Sequence, residues 1–253
     1  MKVTIGGFDG MHIAHQELIK KAEFMVIIEK DSNLTPGLDR CEYTTLPCIF
    51  FNLQEIKHLS AMEFIEKLKK LNTTEVIVGE DFRFGKKRSG DINLLKKFFK
   101  IKVINEIKIE GIGVHSNVIR EFLKKGEIKK ATKFLGHTYK IKGIKIKGQG
   151  LGKEKLVPTI NIELLKNYLL PKEGVYITKT NSCPSITFIG KRSTDNAFSI
   201  ETHILTDFEE KELIKIEFLE FLRENKKFSS LKELKNEIQK DIKTTQIYYN
   251  QNF

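Results

Sequence analysis

Gly6-Gly7-Phe8-Asp9-Gly10-Met11-His12-Ile13-Ala14-His15 lies between a β-branched run, Lys2-Val3-Thr4-Ile5, and a segment from His15 to Glu23 in which Leu18, Ile19 and Ala22 fall at helical spacing. A glycine-rich turn leading from a strand into a helix directs backbone N–H groups and the positive end of the helix dipole at one place. That place suits a phosphate. Two histidines three residues apart can both donate to phosphate oxygens, stabilising the charge that develops when an α-phosphate is attacked. A lone histidine on such a turn is more often structural. A pair preceded by three glycines makes Gly6, Gly7, Phe8, Asp9 and Gly10 candidates for nucleotide binding, and His12 and His15 candidates for catalysis.

Outward from this turn, the first half alternates strands and helices. Pro47 to Phe51 reads as a strand, Ser60 caps a helix through Leu71 with Glu63 in capping-box position, and Glu75 to Val78 reads as a buried strand ending at Gly79. The rhythm predicts a Rossmann-like α/β domain around a parallel sheet, with ligands at the carboxyl ends of its strands. Helical stretches at Val118 to Lys125 and Glu127 to Leu135 follow, separated by Gly126, and the pattern changes at Gly136-His137. Beyond it come the short alternating segments Tyr139 to Lys147, Gly174 to Thr180, Ser185 to Ile189, Ser199 to Leu205 and Leu213 to Phe218. Turn residues separate them, which predicts an antiparallel β-barrel. Ser229-Ser230-Leu231-Lys232-Glu233 then opens a terminal helix to about Ile247. The expected domains are residues 1–137 and 138–253.

Further motifs sit on this frame. Gly79-Glu80-Asp81-Phe82-Arg83-Phe84-Gly85 follows a strand end, and His115-Ser116-Asn117-Val118-Ile119-Arg120 opens a helix with a guanidinium one turn in, an anion site on physical grounds. In the second half Gly148, Gly150 and Gly152 precede Val157-Pro158-Thr159-Ile160-Asn161. A glycine-rich loop lets backbone amides approach phosphates. A Thr hydroxyl and an Asn carbonyl two residues apart along an extended strand can share a face towards Mg²⁺.

Taken together, these motifs resemble the bacterial bifunctional riboflavin kinase/FAD synthetase family in both halves and in the family's order, from Gly6 to about Asp241. The first turn is similar to its G-x-F-D-G-x-H-x-G-H-Q signature, with Ala14 in place of a glycine and Gly7 where Asn is common. Residues 79–85 are similar to its G-x-D-F-R-F-G loop, and 115–120 to its S-S-T-x-I-R, keeping Ser116 and Arg120 while His115 and Asn117 depart. An F-D-P-H-P-like segment usual after the second strand has no equivalent between Met25 and Asp39. Pro158-Thr159-Ile160-Asn161 resembles the kinase P-T-A-N motif, and Leu170-Pro171-Lys172-Glu173-Gly174-Val175-Tyr176 its L-P-x-x-G-V-Y. Leu156 stands for a usual glycine, and Ser193 for a common proline.

The resemblance implies a nucleotidyltransferase domain followed by a kinase barrel. It implies Ser116, Arg120, Gly148, Gly150 and Gly152 as nucleotide-binding, Asp81, Phe82, Arg83, Phe84, Arg223 and Phe228 as flavin-binding, and Thr159 and Asn161 as ligands of Mg²⁺. Glu201 would be the general base on the ribityl hydroxyl. The implied reactions use ATP to phosphorylate riboflavin to FMN, with release of ADP, and to adenylylate FMN to FAD, with release of pyrophosphate. An alternative is a riboflavin kinase whose shortened adenylyltransferase domain is weakly active or inactive. A third reading is a basic nucleic-acid-binding protein that retains the nucleotidyltransferase fold.

Composition weighs against the third reading. The net charge is +11, but only six of the 44 basic residues are arginine, and the lysines are spread along the chain. Base readers favour the bidentate guanidinium and a basic stripe with interleaved aromatics, so no nucleic-acid partner is expected. The 253 residues suffice for two domains, and no run approaches the roughly 18 to 20 apolar residues of a membrane helix. Met1 leads directly into a strand, so a cytoplasmic protein without a membrane partner is expected, as a monomer or weak homo-oligomer. Cys41, Cys48 and Cys183 are odd in number and lack C-x-x-C spacing, and read as packing residues.

Overall fold

The computed structural model describes residues 1–147, 157–192, 196–209 and 211–253. Five strands, β1 (Lys2–Gly6), β2 (Phe24–Glu29), β3 (Cys48–Asn52), β4 (Glu75–Gly79) and β5 (Lys100–Ile104), form a parallel sheet in the order β3-β2-β1-β4-β5. Helices α1 (Ile13–Ile19), α2 (Leu53–Ile56), α3 (Ala61–Lys69) and α4 (Ile92–Leu95) connect them. A parallel sheet needs both faces covered. Val3, Ile5, Val26, Val76 and Val78 pack with Phe64, Ile65 and Leu68 of α3 on one side, while Met25, Ile27 and Ile77 pack with Phe8, Met11 and Leu18 on the other. The Ser60 cap takes the expected form: its hydroxyl accepts from Glu63 N–H at 3.2 Å, and Glu63 accepts from Ser60 N–H at 2.7 Å. Strand order reverses between β1 and β4, so the turns after these two strands open at the switch point where α/β sheets bind ligands.

A two-stranded ribbon, β6 (Lys108–Ile109) and β7 (Ile112–Gly113), is followed by α5 (Ser116–Lys124) and α6 (Ile128–Leu135). The chain divides into two compact units, Met1–Val118 with Phe134–Gly136, and Ile119–Lys133 with His137–Phe253.

In the second unit β8 (Lys140–Ile146), β9 (Ile160–Leu164), β10 (Gly174–Thr180), β11 (Cys183–Lys191), β12 (Phe198–Ile204) and β13 (Leu213–Arg223) close an antiparallel barrel. Tyr176, Thr178 and Thr180 alternate along one face of β10. Tyr176 meets Phe218 edge to face, with ring centroids 5.2 Å apart. Thr178, Thr180, Ser185, Thr187 and Thr202 are all fully buried and bond one another at 2.8 to 3.1 Å. Hydroxyls both donate and accept, so each finds a partner without water and the burial is tolerated. Helix α7 (Leu231–Asn252) is tied to the barrel by Tyr249, which donates to the Thr178 carbonyl at 2.7 Å.

Candidate active sites

The turn after β1 is held from beneath by side chains. Phe8 and Met11, both buried, adopt φ of +51° and +44°, and Gly10 lies at +87°, where a Cβ would come within 2.9 Å of Leu34 Cδ1. Oδ1 of Asp9 accepts from the backbone N–H of Leu34 at 3.0 Å and of Thr35 at 2.9 Å. Arg40, fully buried, donates to the carbonyls of Gly7 (2.8 Å) and Gly37 (3.1 Å) and to the Ser32 hydroxyl (3.2 Å), and pairs with Glu29. The Gly6 to Gly10 backbone is therefore fixed in a conformation it would not choose alone. Sequence reading missed Arg40, because a lone arginine outside a motif gives no sign of where its guanidinium will go.

Above this turn the rings of His12 and His15 stack at 3.5 Å between centroids, 18° from parallel. Burial first, then the positive charge of His12, Lys30, Arg40 and His115, holds the His15 imidazole well below its usual pKa. His15 is accordingly neutral at physiological pH. Its Nδ1 is buried and meets no hydrogen-bond partner among the described residues. Lys30 leans over Gly7: a Cβ at that position would sit 3.2 Å from Lys30 Cε and 3.6 Å from Nζ. The segment that lacks the F-D-P-H-P-like motif thus brings an exposed ammonium to the glycine turn.

Ser116, at the start of α5, donates to the Asp9 carbonyl at 2.7 Å, and Gln16 donates to the carbonyls of Met11 and Leu135, both at 3.0 Å. Arg120 lies one helical turn beyond Ser116 and is half-buried. At the end of β4, Asp81 and Arg83 are exposed, and Arg83 donates to the Phe82 carbonyl at 2.9 Å. Phe82 stacks on Phe84 at 5.9 Å, and Phe84 is buried in the core against Phe64. The four residues thus divide into an open polar pair and a partly packed aromatic pair.

In the barrel, Glu201 of β12 stands directly opposite Asn161 of β9. The Thr159 hydroxyl donates to Glu201 Oε2 at 3.4 Å, the Ser199 hydroxyl donates to Oε1 at 2.9 Å, and Arg192 NH1 lies 3.6 Å from Oε1. Ser199 and Arg192 were not among the sequence candidates. Ser199 could have been found as the residue two before Glu201 on the same strand face, whereas Arg192 reaches the site only through the pairing of β11 with β12. Hydroxyl, amide and carboxylate oxygens converge here, a hard donor set that fits Mg²⁺ completed by substrate phosphates. No cluster of three His, Cys, Asp or Glu side chains suited to a metal occurs among the described residues. Gly148, Gly150 and Gly152, with Leu156 and Ser193, lie outside the described residues. Arg223 is turned to α7: its Nε donates to Asp241 Oδ1 at 3.0 Å, NH2 to Oδ2 at 2.7 Å, and NH1 to the Glu224 carbonyl at 3.0 Å. Phe228, ahead of α7, is half-buried.

Residues 28–122 match the family model described as FAD synthetase, and residues 135–249 the one described as riboflavin kinase. A bifunctional riboflavin kinase/FMN adenylyltransferase of Buchnera aphidicola subsp. Acyrthosiphon pisum is 33% identical over 98% of this chain and 93% of its own length. The chain belongs to the bifunctional riboflavin kinase/FMN adenylyltransferase family. A member from Listeria monocytogenes is 28% identical over 98% of this chain and 92% of its own. The fold is shared by a crystal structure described as a macrolide-efflux protein from Streptococcus pneumoniae, with a TM-score of 0.84, 23% identity, and coverage of 97% of this chain and 93% of that one. Among the described residues no helix is long and apolar enough to cross a membrane. Both family domains are present in order. The FAD synthetase match includes the Glu29 to Arg40 segment, so the segment expected to be short belongs to that domain.

Proposed function

We propose that this chain phosphorylates riboflavin to FMN in the barrel unit and adenylylates FMN to FAD in the parallel-sheet unit, using ATP in both. The observation that carries the reading is the presence of two separate constellations of suitable chemistry, one around the turn after β1 in the first unit and one around Glu201 in the barrel unit. In the barrel, Glu201 accepts the proton of the ribityl hydroxyl as its oxygen attacks the γ-phosphorus of ATP, and ADP departs. Ser199 and Arg192 hold the carboxylate. Thr159 and Asn161 would hold Mg²⁺, which when bound neutralises charge on the ATP phosphates. In the first unit, an FMN phosphate oxygen attacks the α-phosphorus of ATP, the bond to the bridging oxygen breaks, and pyrophosphate leaves with the electron pair. His12 and His15 donate hydrogen bonds to the α-phosphoryl oxygens, and neutral His15 does so without adding charge that must be desolvated. The glycine-turn amides, Ser116 and Arg120 bind the triphosphate. Asp81, Phe82 and Arg83 face the flavin, and the domains divide near residue 137. The reading carries with it a cytoplasmic protein, monomeric or weakly oligomeric.

Incubation of the purified protein with riboflavin, ATP and Mg²⁺, with FMN and FAD resolved by chromatography, tests the proposal. FMN followed by FAD is expected. FMN alone would leave the chain a riboflavin kinase.

A further inference from the structure

We propose that His203 is a positioning residue of the kinase site in the second unit: its ring fastens the Pro158 carbonyl and thereby aims the Thr159 hydroxyl at the phosphates of MgATP. The inference rests on the riboflavin kinase reading above. His203 lies two residues beyond Glu201 on β12, so the two side chains share a face of that strand. The paired rungs of β12 with β9 are Glu201–Asn161 and Thr202–Ile160. Strand β9 begins at Ile160, so Pro158 and Thr159 lie ahead of it, and Pro158 has no N–H with which to extend the ladder. A side chain makes the next connection: Nδ1 of the half-buried His203 lies 2.7 Å from the Pro158 carbonyl oxygen. A carbonyl only accepts, so Nδ1 carries the proton and donates it to the bond.

One bond at that carbonyl settles much of the geometry at Thr159. The Pro158–Thr159 peptide is planar, so fixing its oxygen orients the Thr159 N–H as well. The proline ring fixes φ on one side of this peptide, and on the other the β-branched Thr159 side chain has few χ1 rotamers. The hydroxyl is thereby carried to Glu201, where it donates to Oε2 at 3.4 Å, while the Ser199 hydroxyl donates to Oε1 at 2.9 Å. A bond of 3.4 Å is at the long limit, so the Thr159 hydroxyl leaves Glu201 at little cost when a phosphate or Mg²⁺ is bound. Release of the Pro158 carbonyl would let Thr159 swing away. Asn161 would stay, because it is paired within the ladder opposite Glu201. Loss of the His203 bond therefore weakens the phosphate side of the site and spares the riboflavin side.

The test compares the full chain with His203→Ala, His203→Gln and His203→Asn at one fixed pH. An asparagine amide nitrogen reaches the place of the imidazole Nδ1 and that of glutamine the place of Nε2, so only His203→Asn keeps the donor at Pro158. In FMN formation at saturating Mg²⁺, KM for ATP is expected to rise about tenfold in His203→Ala and His203→Gln and to stay within about twofold in His203→Asn, with KM for riboflavin unmoved in all three. Hydrogen exchange gives a readout without turnover. ADP with Mg²⁺ should protect the peptide from Ile160 to Leu164 in the unaltered chain and in His203→Asn, and protect it less in the other two at the same concentration. FAD formation from supplied FMN, a reaction in the other unit, reports that each preparation is otherwise intact. An equal KM for ATP in all four proteins, or an equal rise in all three variants, overturns the inference and leaves the kinase reading standing, as does a KM for riboflavin that rises in step with that for ATP. Absence of FMN from the unaltered chain overturns the reading on which it rests.

Discussion

Lys30 and Arg40 are both cations of the first turn, and burial gives them opposite duties. Arg40 is fully enclosed among acceptors, so Arg40→Met leaves Glu29 and the Gly7 carbonyl without a partner and is expected to cost about 3 to 5 kcal/mol. Denaturant unfolding of the first unit would show it. Lys30 is exposed, so Lys30→Met should leave stability within about 0.5 kcal/mol and act instead on ATP binding. A raised KM for ATP in FAD formation, with FMN formation unaffected, is the expected result. An unchanged KM would mean that the ammonium over Gly7 plays no part in binding. His15 adds a pH dependence whose sign follows from its depressed pKa. Above the unfolded value of about 6.5 both states are neutral and nothing is gained or lost. Below it the unfolded chain takes a proton that the folded chain refuses. Stability therefore falls as pH drops, by no more than about 1.4 kcal/mol per unit, until the folded pKa is reached. His15→Gln should flatten the unfolding midpoint between pH 6.5 and 5.

Among the elements, α7 is held by a fork of hydrogen bonds from Arg223 as well as by Tyr249. Asp241 is buried and Arg223 meets both of its oxygens, so Arg223→Ala strands a carboxylate and is expected to cost about 3 kcal/mol of barrel stability. If Arg223 instead serves mainly the flavin, KM for riboflavin would rise with the unfolding midpoint unmoved. Elements with local signals were readable. The Ser60–Glu63 capping box started α3 where the spacing predicted, and Gly174 to Thr180 is the predicted strand residue for residue. By contrast β5 (Lys100–Ile104) is not among the predicted strands: Lys-Ile-Lys-Val-Ile alternates over only four residues and none of them is fully buried. Only its pairing with β4 makes it one. Strand β13 continues to Arg223, past the predicted end at Phe218, because register shifts against β10 let it bend and keep pairing. Two of the three cysteines read as packing residues pack against an apolar cluster. Cys41 and Cys48 join the cluster beneath the sheet, and burial first, then a hydrogen bond with Cys41, pushes the Cys48 thiol up to about 12. Cys48 should resist iodoacetamide at pH 8 in the folded protein.

For the whole molecule, two units with two constellations predict separable losses. Glu201→Ala should abolish FMN formation and leave FAD formation from supplied FMN intact, while His12→Ala with His15→Ala should do the reverse. Equal loss of both reactions in a folded variant would contradict the assignment of one site to each unit. The sequence by itself determined the order of the two architectures, the family, and the glycine turn and helix start proposed to meet phosphates. These depend on residue type and spacing within a few positions, where glycine conformation, capping and strand alternation act locally. The tertiary structure alone decided which side chains gather at each motif. Arg40 comes to the glycine turn from more than thirty residues away, Arg192 reaches Glu201 through strand pairing, and Glu106 faces His115 after the β6–β7 ribbon turns the chain back. Such partners are chosen by sheet order, register and burial, so the physical cause of their positions lies in long-range packing and leaves no local trace in the sequence.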